Sequence, residues 1–213
     1  MSSVTNRILD LSAGLGLYDR WARRHLGPIY QTLLDLAALR GGEQVLDVGC
    51  ETGTLSSHLA RAADGIVVCG IDAGPRMIAV AEKKTRGYRP RVEYRVGTAA
   101  QLPYADGRFD VVSSCLVFHL LQDSEKERGL REIFRVLKPG GKYVCAEFQT
   151  VPAGFLGRHL SRYPSDLIET IGFHVDTELA GPSITKHRPV VYQALTRPCE
   201  EGPGGNLVAE TRA

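Results

Sequence analysis

Short unbroken apolar runs alternate along the chain with longer stretches whose apolar residues recur every three or four positions. The first run is Val45–Val48 within QVLDVGCETG, Gln44–Gly53, followed at Thr54–Ala63 by Leu55, Leu59 and Ala62 on one helical face. A run of this kind fits a strand buried on both faces. The pattern repeats as Gly65–Asp72 (GIVVCGID) and a helix from Pro75 through Met77, Ile78, Ala81 and Lys84, with proline at its first position. Arg91–Val96 alternates as a third strand, and Gly97–Tyr104 reads as a loop or a single helical turn. Arg108–Cys115 gives a fourth strand, which Leu116–Leu121 continues as an apolar segment containing His119. Ser124 and Glu127 have capping-box spacing ahead of Leu130, Ile133, Phe134 and Leu137, so a long helix is predicted there. Lys138–Gly141 (KPGG) stops it, and Lys142–Phe148 forms a fifth strand.

Alternation of strands and helices predicts an α/β fold with right-handed crossovers and a parallel sheet. The last third departs from this rhythm. After a helix at Pro164–Ile171, Phe173–Leu179 and Pro189–Leu195 lie close enough in sequence for a hairpin, so the sheet should finish with an antiparallel strand. Ahead of the first strand, Pro28 opens a helix through Leu33, Leu34, Leu36, Ala37 and Leu39 that Gly41-Gly42 ends. A shorter amphipathic stretch holding Tyr18 and Trp21 precedes it. These helices either cover part of the sheet or lie over its carboxyl ends, where ligands bind. The reading divides the chain into a helical cap at 1–42, a main domain at 43–197 and a mobile tail at 198–213.

Composition narrows the picture little. A net charge of +2 demands neither nucleic acid nor an acidic surface as partner. Five cysteines, an odd number without a CxxC pair, point to buried free thiols in a reducing compartment. No signal peptide is evident and no apolar run approaches ~18 residues, so a soluble cytoplasmic protein without membrane insertion is expected. The six histidines show no HxH or HExxH spacing, and no metal site is predicted.

The candidate chemistry sits in Gln44–Gly53. A strand, a glycine-bearing turn and a helix start make a nucleotide-type site, offering free amide N–H groups and close backbone approach. Asp72 ends the second strand 25 positions after Asp47, where a carboxylate can accept two ribose hydroxyls. A dinucleotide fingerprint wants GxGxxG, and Gly49-Cys50-Glu51-Thr52-Gly53-Thr54 misplaces two of its glycines.

Four stretches in order, VLDVGCETG, GIDAGPRMIAVAEKK, GTAAQLPYADGRFDVV and REIFRVLKPGGKYVCAEF, resemble the class I S-adenosylmethionine-dependent methyltransferases, in particular the ubiquinone/menaquinone-biosynthesis type. The resemblance covers about residues 43–148. It implies a Rossmann-like, seven-stranded, mostly parallel sheet with an N-terminal helical lid, S-adenosyl-L-methionine as cofactor, and a small-molecule methyl acceptor rather than nucleic acid. Carried onto this sequence, Asp47, Gly49, Cys50 and Gly53 serve the methionine end. Asp72 takes the ribose, Ala73 and Met77 flank the adenine, Thr98 and Ala99 meet its edge, and Cys115 and Leu116 lie beneath the cofactor. His119 becomes a candidate base, and Tyr18 and Trp21, with the stretch Gln149–Tyr163, a candidate cover. Three positions depart from the family pattern: Glu51 for a glycine, Thr98 for an aspartate and Gly74 for a serine. These leave a second reading, a methyltransferase-like fold kept for binding a partner. Oligomeric state is not legible.

Overall fold

A computed structural model describes residues 17–88, 91–148, 165–181 and 190–199. Two helices, α1 (Leu17–His25) and α2 (Gly27–Ala37), precede β1 (Gln44–Val48). There follow α3 (Thr54–Ala62), β2 (Val67–Asp72), α4 (Pro75–Lys84), β3 (Val92–Val96) and β4 (Phe109–Cys115). Then come α5 (Asp123–Val136), β5 (Leu137–Phe148), α6 (Ser165–Ile171), β6 (His174–Gly181) and β7 (Val190–Thr196). The seven strands form one sheet in the order β3-β2-β1-β4-β5-β7-β6. β7 alone runs against its neighbours, inserted between β5 and β6, which gives the mostly parallel sheet with a closing hairpin that the sequence predicts.

Alternation within the strands divides two cores. Cys69, Leu46, Val112 and Tyr143 stand in one cross-strand row and meet Leu130, Ile133 and Val136 of α5 and Ile168 of α6. Val68, Val45 and Val111 stand in the opposite row beneath α2 and α3. Buried on both faces, β1 and β2 need continuous apolar runs, which is why they are so visible in sequence. α2 belongs to this core: Ile29, Tyr30, Leu33 and Ala37 are buried against the sheet. Removing any one of the large aliphatic side chains here costs about 2–5 kcal/mol.

The chain winds outward from β1 to β3, then returns to place β4 on the other side of β1. This reversal opens a crevice at the carboxyl ends of β1 and β4, the general ligand position in open α/β sheets.

Several local expectations are corrected. Between β3 and β4 the loop alternative holds: an irregular segment from Gly97 to Arg108 makes that crossing. The capping box of α5 is Gln122 with Glu125, two residues before the expected Ser124 and Glu127, and Glu125 accepts the Gln122 N–H at 3.0 Å. β4 does not continue past Cys115. Leu116 turns left-handed, with φ +57°, and Phe118–Leu120 coil into one 3₁₀ turn. α2 ends at Ala38, also left-handed, ahead of the two glycines. Gly53 stands at the N-cap of α3 with φ +73° and offers no side-chain cap. Gln149–Tyr163, the side chain of Tyr18 and the tail beyond Cys199 lie outside the described residues.

Candidate functional site

A cavity of about 460 Å³ occupies the crevice. Val48, Gly49 and Glu51 form its wall after β1, Ile71–Pro75 with Met77 its wall after β2, and Gly97–Ala100 its far edge. Leu116, Val117, Leu120, Leu121 and Glu125 close it on the β4 side. Three carboxylates (Glu51, Asp72 and Glu125) face it, and among the described residues no lysine or arginine lines it. The site is therefore suited to a cation with a flat apolar part.

The turn after β1 is locked from within. Gly49 and Cys50 donate their amides to the Ile71 carbonyl at 2.8 and 3.1 Å, and Gly53 donates to Cys50 at 2.8 Å. The Glu51 amide donates to Asp72 Oδ2 at 3.0 Å, and Gly74 donates to Asp72 Oδ1 at 2.8 Å. So the amides that the sequence suggests for a ligand are spent inside the fold. Asp72 thus takes a backbone N–H on each oxygen, and a carboxylate oxygen accepts more than one hydrogen bond. Glu51 adopts φ +50°, a conformation costly for a residue with a Cβ, in order to make this bond.

The glycines of this turn admit side chains. A Cβ on Gly49 would stand 2.3 Å from Val117 Cγ2, and one on Gly53 would stand 2.3 Å from the Tyr94 hydroxyl. Tyr94 thus fits under the turn because Gly53 is bare, and Val117 closes over Gly49.

Of the residues singled out from sequence, Gly49, Asp72, Ala73, Met77, Thr98, Ala99 and Leu116 line the cavity together. Asp47, Cys50, Gly53 and Cys115 stand behind it. Asp47 is 1% exposed and accepts from Ser56 at 2.6 Å and Ser113 at 3.2 Å, tying the start of α3 to β1 and β4. Burial pushes its carboxyl up to about 7, against the pull of the two serine hydrogen bonds. Burial likewise pushes the Cys50 and Cys115 thiols well up, so neither is a ready nucleophile. His119 is buried beside β5 and does not line the cavity. Trp21 is 41% exposed, stacked on His25 with centroids 5.3 Å apart.

Sequence reasoning missed two groups. Glu147, buried at the end of β5, accepts the amides of Val117 and Phe118. Asp19 of α1 bonds to Lys84 Nζ at 2.7 Å and accepts the Thr52 hydroxyl, while Lys84 also reaches Thr54 at 2.8 Å. Lys84 ends α4, so this network joins α1 and α4 to the turn beside Glu51. Both groups act across long sequence separations, and no local spacing marks them.

A family model described as a methyltransferase domain matches residues 45–141. A demethylmenaquinone methyltransferase from Thermus thermophilus is 36% identical over 154 residues, 72% of this chain and 64% of that protein. Residues 45–141 thus carry a methyltransferase domain. A demethylmenaquinone methyltransferase from Beutenbergia cavernae is 39% identical over 70% of the chain and 54% of its own length. The chain thus spans between about half and two thirds of these relatives. Among solved structures, a putative methyltransferase in complex with the Haloferax volcanii Trm112 methyltransferase activator superposes with a TM-score of 0.71. It covers 89% of this chain and 97% of its own, at 22% identity, and supports the same fold. Among the described residues, no helix is long and apolar enough to cross a membrane.

Proposed function

We propose that this methyltransferase-family chain transfers the methyl group of S-adenosylmethionine to a small acceptor, a demethylated quinone-type ring of the kind its relatives are named for. The observation that carries this is the charge of the cavity. Three carboxylates and, among the described residues, no basic side chain line it, and the amides of Gly49, Cys50, Glu51 and Gly53 are engaged. An anionic dinucleotide meets repulsion there, and those four amides are already engaged within the fold. A cofactor carrying a sulfonium and an ammonium meets complementary charge.

The residues fit that group. The Asp72 carboxylate takes the ribose hydroxyls, Ala73, Met77 and Ala99 supply an apolar slot for the adenine, and the Thr98 hydroxyl receives its amino group. Gly49 and Leu116 flank the methionine end, and Glu51 accepts from its ammonium. Asp47, Cys50, Gly53 and Cys115 shape this surface from behind. S-adenosylmethionine, when bound, supplies an electrophilic methyl carbon. The chain's task is to hold the acceptor about 3 Å from that carbon, exclude water and take up a proton. We assign proton uptake to His119 and cover to α1, with Tyr18 and Trp21, tied to the turn through Asp19. Four buried free thiols favour a reducing cytoplasm.

The test is transfer of labelled methyl from S-adenosylmethionine to demethylmenaquinone by the full chain. S-adenosylhomocysteine should raise the melting temperature while NAD leaves it unchanged, because only ligands of the native state stabilise it. Stabilisation by NAD and none by S-adenosylhomocysteine overturns the cofactor assignment. Cofactor binding without transfer to any quinone-type ring overturns the acceptor class.

A further inference from the structure

Beside the cavity, at the ends of β4 and β5, one buried carboxylate gathers four donors. Glu147 Oε1 accepts the amides of Val117 at 2.7 Å and Phe118 at 2.8 Å. Its Oε2 faces the His119 amide at 3.4 Å and His119 Nδ1 at 3.2 Å. Glu147 is 1% exposed, and the imidazole is buried edge-on to Phe148, with centroids 4.9 Å apart. With both oxygens accepting, the ring nitrogen must donate. In a neutral imidazole this puts the proton on Nδ1 and the lone pair on Nε2. The same carboxylate fixes the turn that presents Leu116 and Val117 to the cavity, so the ring and the cavity wall share one anchor.

We propose that Glu147 is a positioning residue that holds His119 in the Nδ1–H form, so that Nε2 takes the acceptor's proton during methyl transfer. This rests on the methyltransferase reading above. The acceptor atom forms its bond to the methyl carbon while the carbon–sulfur electron pair stays on sulfur. The acceptor's proton passes to Nε2, and the imidazolium so formed faces the Glu147 carboxylate. A base held by a second oriented group is the arrangement that general-base chemistry requires.

The first readout is the tautomer of His119 in the full-length wild-type protein, from ¹⁵N shifts of its ring nitrogens above the imidazole's titration range. The signals are assigned by their loss in His119→Gln. An Nδ1–H ring is expected, and an Nε2–H ring overturns the proposal without any variant of Glu147. In Glu147→Gln the side-chain carbonyl still accepts from Val117 and Phe118, but an NH₂ group faces Nδ1. The ring should switch to Nε2–H, and kcat on demethylmenaquinone should fall about 10²-fold, the range for losing general-base catalysis. Affinity for S-adenosylhomocysteine should hold, since the turn keeps its amide acceptor. A folded Glu147→Gln protein with unchanged tautomer and unchanged kcat overturns the proposal. Failure of the wild type to bind S-adenosylhomocysteine would instead sink the methyltransferase reading and leave the tautomer result standing.

Discussion

The two halves of the cavity are built by different means. On the β1–β2 side the walls are turns whose amides and carbonyls satisfy one another, with Asp72 joining the two turns through Glu51 and Gly74. On the β4–β5 side the wall is a single turn held by a side chain from another strand, 30 residues away at Val117. The halves meet where Val117 closes over Gly49. A backbone-built wall depends on glycine and on the residue at each strand end. A wall held by one carboxylate depends on that carboxylate, and should fail when it is removed.

The largest expected effect follows directly. Glu147→Ala strips a buried acceptor from the amides of Val117 and Phe118 and from His119. It should lower the unfolding free energy by about 3 kcal/mol or more, the cost of leaving several buried donors unmet. Urea denaturation measures this, and a loss below about 1 kcal/mol, within the range of an ordinary surface change, would dissolve the contrast between the halves.

A smaller effect tests the backing of the β1 turn. Asp47 has a folded-state pKa of about 7, raised from the ordinary carboxylate value by burial. The folded state therefore binds its proton more tightly than the unfolded state. Stability from this group is fully present below about pH 4 and is lost as pH rises through 7. Asp47→Asn removes that loss. Its stability relative to wild type should improve by about 2 kcal/mol between pH 5 and pH 8, the order given by a shift of this size. A difference independent of pH would mean that Asp47 is ionised throughout.

What was legible in sequence divides along the same line. β1 and β2 are buried on both faces, so their residues are mostly apolar, and the acids and glycines near their ends stand at short, fixed separations. Gly49, Asp72, Ala73, Met77, Thr98 and Ala99 could be found together for that reason. The purpose of the glycines could not. Gly53 reads as a place for ligand approach and in the fold makes room for Tyr94, whose position depends on β3 packing beside β2. Leu116–Leu121 reads as more strand because its residues are apolar; the bend comes from Glu147, a residue of a neighbouring strand. The Asp19–Lys84 link is hidden likewise, since it spans 65 positions.

We propose that the acid-lined crevice holds S-adenosylmethionine with Asp72 on the ribose. Calorimetric titration of S-adenosylhomocysteine into the full chain and into Asp72→Asn tests it most directly. The account predicts saturable binding to the wild type and a loss of about 1–3 kcal/mol in the variant, the range for hydrogen bonds to a charged group. No binding to the wild type, or equal affinity in a folded Asp72→Asn protein, would contradict it.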